Sequence, residues 1–156
     1  MYKVNIDATI AQQEGTCDIG LVIRIHKGEF ITVPAKKFQG VVSAEIADAV
    51  AAREAFLFTK SLLIPSFCIE GDASAVIQKM LNREDDCSVI GSIVNDVHDN
   101  SNSLSNISLR WVPRESNKVA HALAFHAKFC NSVETLWNSS PVFVKQIVLN
   151  NFQQVS

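Results

Sequence analysis

Alternation of apolar and polar positions predicts three strands at the start of the chain. Residues 3–9 read KVNIDAT, in which Val and Ile alternate with Asn and Asp, as in a strand with one buried face. Residues 19–26 and 30–35 predict two more strands, with Lys-Gly-Glu as the turn between them. Three strands in such quick succession indicate an antiparallel meander.

From residue 43 onward the apolar spacing becomes helical and then alternates between helix and strand. Ser43 is a candidate N-cap for the first helix. A short helix is expected in the tail, residues 131–156. The order β-β-β-α-β-α-α-β-α predicts an α/β domain with a mixed sheet and helices on its faces. The predicted elements after the meander are a helix over 43–60, a strand over 66–72, helices over 73–82 and 89–99, a strand over 107–113 and a helix over 116–130.

Length and composition fit one globular domain over residues 1–156. The chain is 47% hydrophobic and 19% charged, so it has no bias towards disorder. No apolar run is long enough to be a signal peptide or a membrane span. The four cysteines form no CxxC pair, which favours free thiols in a reducing compartment. We therefore expect an intracellular protein, in cytoplasm or nucleus, that is neither secreted nor membrane-bound.

Three acidic residues stand where strands and helices meet. Asp7 lies on the first strand, Glu45 in the first turn of the first long helix, and Asp72 at the end of the fourth strand. Any one of them alone is explained as a strand-end residue or as an acid that favours a helix start. Together they suggest a site for Mg²⁺, which prefers carboxylate oxygens and substrate phosphate as ligands. Two such ions can stabilise both the attacking and the leaving oxygen of a phosphodiester.

The ordered set of segments resembles the type 1 ribonuclease H domain, most closely its plant reverse-transcriptase-like branch, which is related to the RNase H domains of non-LTR retroelements. The similarity covers about residues 3–130, and it implies a five-stranded mixed sheet, with the first three strands antiparallel and helices on both faces. It also implies two-metal hydrolysis of RNA in an RNA–DNA hybrid, with Asp7, Glu45 and Asp72 holding Mg²⁺, or Mn²⁺ in its place. The segments are KVNIDAT, GLVIRIHKGEF, SAEIADAVAAREA, IEGDASAVIQ and WVPRESNKVAHALA.

His121 stands on the last helix of this core, where the family has its fourth catalytic acid. A neutral imidazole can bind a metal, but it is a poor ligand for Mg²⁺ and adds no negative charge. Two interpretations are open: His121 is a tolerated substitute in the catalytic set, or it fills a position that no longer binds the second ion.

Other departures from the family weaken the expected activity. Trp111 replaces a histidine that assists the reaction, and an indole cannot transfer a proton. Ala8 replaces the glycine after the first aspartate, so a Cβ intrudes towards the substrate. Val41 and Val42 replace paired asparagines whose amides contact the hybrid. Together these changes predict a slow or inactive nuclease.

Two polar residues near the last helix are candidates for contacts with nucleic acid. Arg114 could meet a phosphate, and its alternative is an ion pair with Glu115 or another acid. For Asn117 the preferred explanation is an N-cap on the helix. Trp111 and Phe67 could stack on bases, although their apolar neighbours favour core packing for both.

Three functions remain open at this stage. The first is an Mg²⁺-dependent RNA–DNA hybrid ribonuclease. The second is a catalytically dead module that binds a hybrid or other nucleic acid, and the third is a protein interaction domain, which the net charge of −2 favours. We expect either a free-standing monomer or one part of a larger chain.

Overall fold

The computed structural model describes residues 1–25, 29–82, 86–101, 106–130, 134–137, 139 and 141–153. Within them lies one six-stranded sheet with the strand order β5-β4-β1-β2-β3-β6. Its strands are β1 (Tyr2–Ala11), β2 (Thr16–Arg24), β3 (Phe30–Gln39), β4 (Ser66–Gly71), β5 (Asn106–Trp111) and β6 (Glu134–Trp137).

The sheet is mixed, as the sequence predicts. β1, β2 and β3 pair antiparallel, whereas β4 runs parallel to β1 and β5 runs parallel to β4. The parallel pairing places the carboxyl end of β4 beside Ile6, in the middle of β1. One strand was not predicted: β6, from the tail, pairs antiparallel with β3.

Helices cover both faces of the sheet. One face packs against α1 and its neighbours in a core that contains Val4 and Ile6. The other face packs against α4 through Val22, Ala120 and Leu123. No helix in the described part of the chain is both long and apolar enough to cross a membrane. The helices are α1 (Ala44–Ser61), α2 (Ser74–Leu81), α3 (Val89–Ser101), α4 (Lys118–Ala127) and α5 (Val142–Gln153).

The start of α1 follows from its sequence. The hydroxyl of Ser43 accepts a hydrogen bond from the backbone amide of Ile46 at 3.2 Å, which confirms the predicted N-cap. Past the first turn, α1 carries alanines that are fully buried against the sheet. These small residues let the backbone of α1 lie close to the strands. The close packing determines which side chains of α1 reach the point where β4 ends beside β1.

Gly20 sets the distance between α4 and the sheet. It pairs with Asp7 in the register of β1 and β2. A Cβ at this position would lie 2.5 Å from the carbonyl oxygen of Ala120 and 2.5 Å from the amide nitrogen of Ala124, closer than any real contact. Glycine therefore allows α4 to lie directly on β2, next to Asp7.

Two aromatic predictions have different outcomes. Phe67 is fully buried, as expected of a core residue. Trp111 is half exposed, so the expectation of core packing is wrong for this residue. The reason is its place at the last position of β5, an edge strand, where the indole lies over the end of β4 instead of entering the core.

Candidate active site

Asp7 and Asp72 lie together where β4 ends beside the middle of β1. Ile6 of β1 pairs with Gly71 of β4 in a parallel register, so Asp7, the next residue of β1, lies beside Asp72, the first residue after β4. Ends of neighbouring parallel strands are where α/β folds gather functional groups. The charge of Asp72 raises the pKa of Asp7, in addition to the larger effect of burial.

A third carboxylate, that of Asp48, joins them from α1. Asp7, Asp48 and Asp72 line the same small cavity between the helix and the strand ends. Burial, followed by the charges of Asp7, Asp72 and Glu45, raises the pKa of Asp48 from 3.8 to about 7. The site is therefore a cluster of carboxylates that repel one another.

Glu45 lies one helical turn before Asp48, at the rim of the site. Its Oε1 is 3.1 Å from Nζ of Lys79, and both side chains are 45% exposed. The predicted glutamate is thus a solvent-facing partner of α2, and its charge acts on Asp48 from outside the small cavity.

His121 contacts the first aspartate directly. Its Nδ1 lies 2.6 Å from Oδ2 of Asp7, while the backbone amide of Ala8 donates to Oδ1 at 2.9 Å. With Asp7 ionised, the proton of this contact lies on Nδ1 of His121, and the histidine acts as a donor to the carboxylate. Both contacts lower the pKa of Asp7 and offset part of the increase that burial and Asp72 cause.

Arg114 stands beside this pair on the solvent side. It belongs to a short 3₁₀ turn over Arg114–Ser116, and its Nη2 is 3.5 Å from Nδ1 of His121. Because that nitrogen already donates to Asp7, the contact is not a hydrogen bond. The guanidinium remains exposed at the mouth of the site, where it can meet an anion.

Asn117 is buried, and its side chain connects β1 to Asp72 through hydrogen bonds. Its Nδ2 donates to the carbonyl oxygen of Ile6 at 2.7 Å and to Oδ1 of Asp72 at 3.2 Å. Its Oδ1 accepts from Nδ2 of Asn5 at 3.3 Å. Asn117 occupies the predicted N-cap position of α4, but its side chain makes no cap hydrogen bond, because these partners on β1 and beside β4 engage it.

Trp111 and the paired valines flank the same edge. Nε1 of Trp111 donates to the backbone carbonyl of Asp72 at 3.1 Å, so this side chain supports the end of β4. Val42 is 66% exposed, whereas Val41 is buried in the core. The exposed apolar side chain of Val42 therefore offers no side-chain amide to a ligand.

The donor set has the chemistry of a site for a hard cation. Carboxylate oxygens are what Mg²⁺ prefers, and it commonly takes one or two carboxylates, with water and substrate phosphate completing its shell. Within the described residues, no three His, Cys, Asp or Glu side chains form a group that could surround one ion. The residues fit an ion that is bound by one or two carboxylates and completed by substrate.

Two parts of this site were not predicted from the sequence. Asp48 interrupts an alanine-rich run, IADAVAA, whose other positions are mostly buried, and a charge among buried helical positions was the available signal. Asn5 and Glu70 form the other part: Nδ2 of Asn5 also lies 3.2 Å from Oε2 of Glu70, beneath Asn117. Glu70 comes two residues before Asp72 in a strand otherwise apolar, a similar signal.

Comparisons with known proteins agree with this fold. A model of the family described as reverse transcriptase-like matches residues 5–127. No relative was found among the curated proteins. Among solved structures, the RNase H1 of the halophilic archaeon Halobacterium salinarum NRC-1 is similar, with a TM-score of 0.74 and 18% identity over 81% of this chain and 96% of that one.

Two further structures have the same fold. The RNase H1 called LC11, isolated from compost and solved in complex with an RNA/DNA hybrid, has a TM-score of 0.69 and 16% identity over 81% of this chain and 95% of that one. The prototype foamy virus protease-reverse transcriptase has a TM-score of 0.66 and 14% identity over 84% of this chain but only 21% of its own. The chain belongs to the reverse transcriptase-like family and has the ribonuclease H fold.

Proposed function

We propose that the chain is a nucleic-acid-binding domain that hydrolyses RNA in RNA–DNA hybrids, with weakened activity, at the point where β4 ends beside Asp7 of β1. The observation that carries the proposal is the meeting of Asp7, Asp48 and Asp72 in one small cavity. Burial, followed by the charges of Asp7, Asp72 and Glu45, raises the pKa of Asp48 to about 7. Such a cluster costs stability unless a cation is bound, so a binding role explains why the fold has it.

In this proposal the cluster of Asp7, Asp48 and Asp72 binds Mg²⁺ or Mn²⁺, with each ion held by one or two of these carboxylates. When bound, the ion would neutralise charge on the scissile phosphate and lower the pKa of an attacking water. Asp48 takes the role that the sequence resemblance gave to Glu45, because Asp48 shares the cavity with the other two acids. Asn117 and Trp111 hold Asp72 in place through its side chain and its backbone.

His121 has a different role in the proposal from the acid it replaces. By donating from Nδ1 to Asp7, it fixes the orientation of that carboxylate. It also uses one lone pair of Oδ2 and adds no negative charge, so a second ion is held less well than by a fourth carboxylate. Slow turnover is the expected result, and Arg114 is proposed to contact the phosphate backbone at the mouth.

The proposed substrate is supported by likeness alone. The LC11 enzyme is described in complex with an RNA/DNA hybrid, and its fold matches over most of both chains. Four free thiols agree with the reducing intracellular compartment expected from the sequence. The finer assignment to a plant branch derived from retroelements stays a prediction.

A second function is favoured by the ligand geometry. Both oxygens of Asp7 already accept hydrogen bonds, and the described part of the chain contains no three-donor group for an ion. A domain that binds nucleic acid or a protein without cleaving it would tolerate these features, as well as the exposed Val42 and the indole of Trp111.

Cleavage of a labelled RNA–DNA hybrid in Mg²⁺ and in Mn²⁺ separates these functions. The panel compares the wild type with Asp48→Asn and with Glu45→Gln, two neutralising changes one helical turn apart. We expect Asp48→Asn to abolish cleavage and Glu45→Gln to retain most of it. No cleavage by any folded variant or by the wild type, with retained hybrid binding, would establish the binding module instead.

A further inference from the structure

A large cavity lies on the α4 side of the sheet, away from the aspartates. Its volume is about 660 Å³, and it opens between the strands β1, β2, β4 and β5 and the segment that leads into α4. Asn5 and Asn117 form part of its wall and separate it from Asp72. The floor includes apolar side chains of Val22, Phe30, Val112 and Val148.

Three cations surround a single buried carboxylate in this cavity. Glu70 is 2% exposed, and its oxygens lie 3.2 Å from Nζ of Lys3 and 3.5 Å from Nη2 of Arg24. Arg110 also pairs with Oε1 of Glu70. One carboxylate balances one of these cations, so two positive charges remain at the inner end of the cavity. The chain as a whole carries a net charge of −2, which makes this local excess distinctive.

The basic side chains still have capacity for another partner. Lys3, Arg24 and Arg110 are 37%, 32% and 57% exposed, so each reaches the cavity as well as Glu70. Nε of Arg24 is buried without a hydrogen-bond partner, which is costly for a charged group. Glu29, Glu115 and Lys118 also line the cavity, and the two glutamates are exposed, so the lining as a whole keeps one net positive charge.

We propose that this cavity binds a phosphate group between Lys3, Arg24 and Arg110. Two guanidinium groups and one ammonium group match the oxygens of a phosphate, and arginine is suited to bidentate contacts with it. Asp7, Asp48 and Asp72 repel a free phosphate, so the two sites differ in charge and in ligand. The phosphate belongs either to a free nucleotide, whose base would contact the apolar floor, or to a nucleic-acid strand.

Titration with inorganic phosphate, followed by calorimetry in the presence of EDTA, tests the site without the proposed catalytic ion. Lys3→Gln and Arg110→Gln should each weaken binding roughly threefold to tenfold, because each removes one charged contact. Lys60→Gln, the same change on the opposite face of the sheet, should leave binding as it is. Circular dichroism checks that each variant is folded.

Glu70→Gln supplies the sharper comparison. It removes the competing carboxylate, so it should strengthen phosphate binding, whereas a purely structural cluster would show no such gain. If Glu70→Gln does not fold, weaker phosphate binding by Arg110→Gln still tests the proposal. Competition by adenosine monophosphate or by a short hybrid duplex identifies the source of the phosphate. Absence of phosphate binding, or binding that Lys3→Gln and Arg110→Gln leave unchanged, would overturn the proposal.

Discussion

Nδ1 of His121 lies 2.6 Å from Oδ2 of Asp7, so the first acid of the site is hydrogen-bonded to the residue that the sequence resemblance matches to the family's fourth acid. The contact is made possible by Gly20, which lets α4 lie on β2 beside Asp7. Through it, histidine reduces the repulsion among the carboxylates without a metal ion. The same contact occupies a lone pair that an ion would otherwise use.

Replacing His121 by Asp exchanges a hydrogen-bond donor for a fourth negative charge. Without metal, His121→Asp should lower the melting temperature by roughly 2–8 °C, because the new carboxylate faces Asp7 directly. Mg²⁺ should then stabilise the variant more than it stabilises the wild type. Thermal unfolding in EDTA and in Mg²⁺ measures both effects. Equal stabilisation of the two proteins by Mg²⁺ would mean that position 121 has no part in ion binding.

Asp48 should reduce stability at neutral pH. Its pKa rises from 3.8 to about 7 on folding, so the folded state holds its proton more tightly than the unfolded state does. The stability that this proton supplies is complete below about pH 4 and is lost as the pH rises through 7. Asp48→Asn should therefore be more stable than the wild type at pH 8, by about 1 to 3 kcal/mol because solvent partly screens this carboxylate.

Urea unfolding of Asp48→Asn and wild type at pH 4 and pH 8 checks this dependence. The difference in the free energy of unfolding between Asp48→Asn and the wild type should nearly vanish at pH 4. Glu45→Gln provides the matched control, since Glu45 is exposed and pairs with Lys79. A wild type that is the more stable protein at pH 8 would show that Asp48 is not repelled by its neighbours.

Asn117 should be important for both stability and site geometry. Asn117→Ala leaves the carbonyl of Ile6, Asp72 and the amide of Asn5 without this partner, and a buried unpaired polar group costs about 1–3 kcal/mol. Asn82→Ala, at the exposed end of α2, should cost far less. Denaturant unfolding compares the two variants, and near-equal losses would contradict the positioning role.

Gly20→Ala should separate α4 from the sheet. The added Cβ meets backbone atoms of Ala120 and Ala124 at 2.5 Å, and backbone cannot move aside cheaply. Overpacking of this kind typically costs about 1–3 kcal/mol or more. Gly71→Ala, whose nearest contact is a flexible atom of Ile6 at 3.1 Å, should cost less. Thermal unfolding measures the loss of stability in both variants. A larger loss in Gly71→Ala than in Gly20→Ala would refute this account of how α4 is placed.

Local features of the fold could be predicted from the sequence. The N-cap at Ser43 depends on residues three apart, and strand alternation is visible within a few positions. β6 could not be predicted in this way, since four residues carry too little pattern and their partner strand lies about a hundred residues earlier. Asn117 is at the predicted N-cap position, but the hydrogen bonds of its side chain could not be predicted for a similar reason, because its partners Ile6 and Asp72 are distant in sequence.

The acidic site was only partly predictable. Asp7 lies within one strand that patterning identifies and Asp72 follows another, so their meeting follows from the parallel pairing of β1 with β4. Glu45 and Asp48 are three residues apart on one helix, and helical spacing alone does not show which of them faces the strand ends. That choice depends on how the buried alanines seat α1 on the sheet, which is a property of tertiary packing.

Hydrolysis of a labelled RNA–DNA hybrid by wild type and by Asp72→Asn, in Mg²⁺ and in Mn²⁺, tests the central claim most directly. Asp72→Asn keeps the size of the side chain and removes the charge that acts on Asp7 and Asp48. We predict slow, metal-dependent cleavage by the wild type that is lost in Asp72→Asn. Folded wild type that cleaves in neither metal, or an Asp72→Asn variant that cleaves equally well, would contradict a catalytic role for the three aspartates.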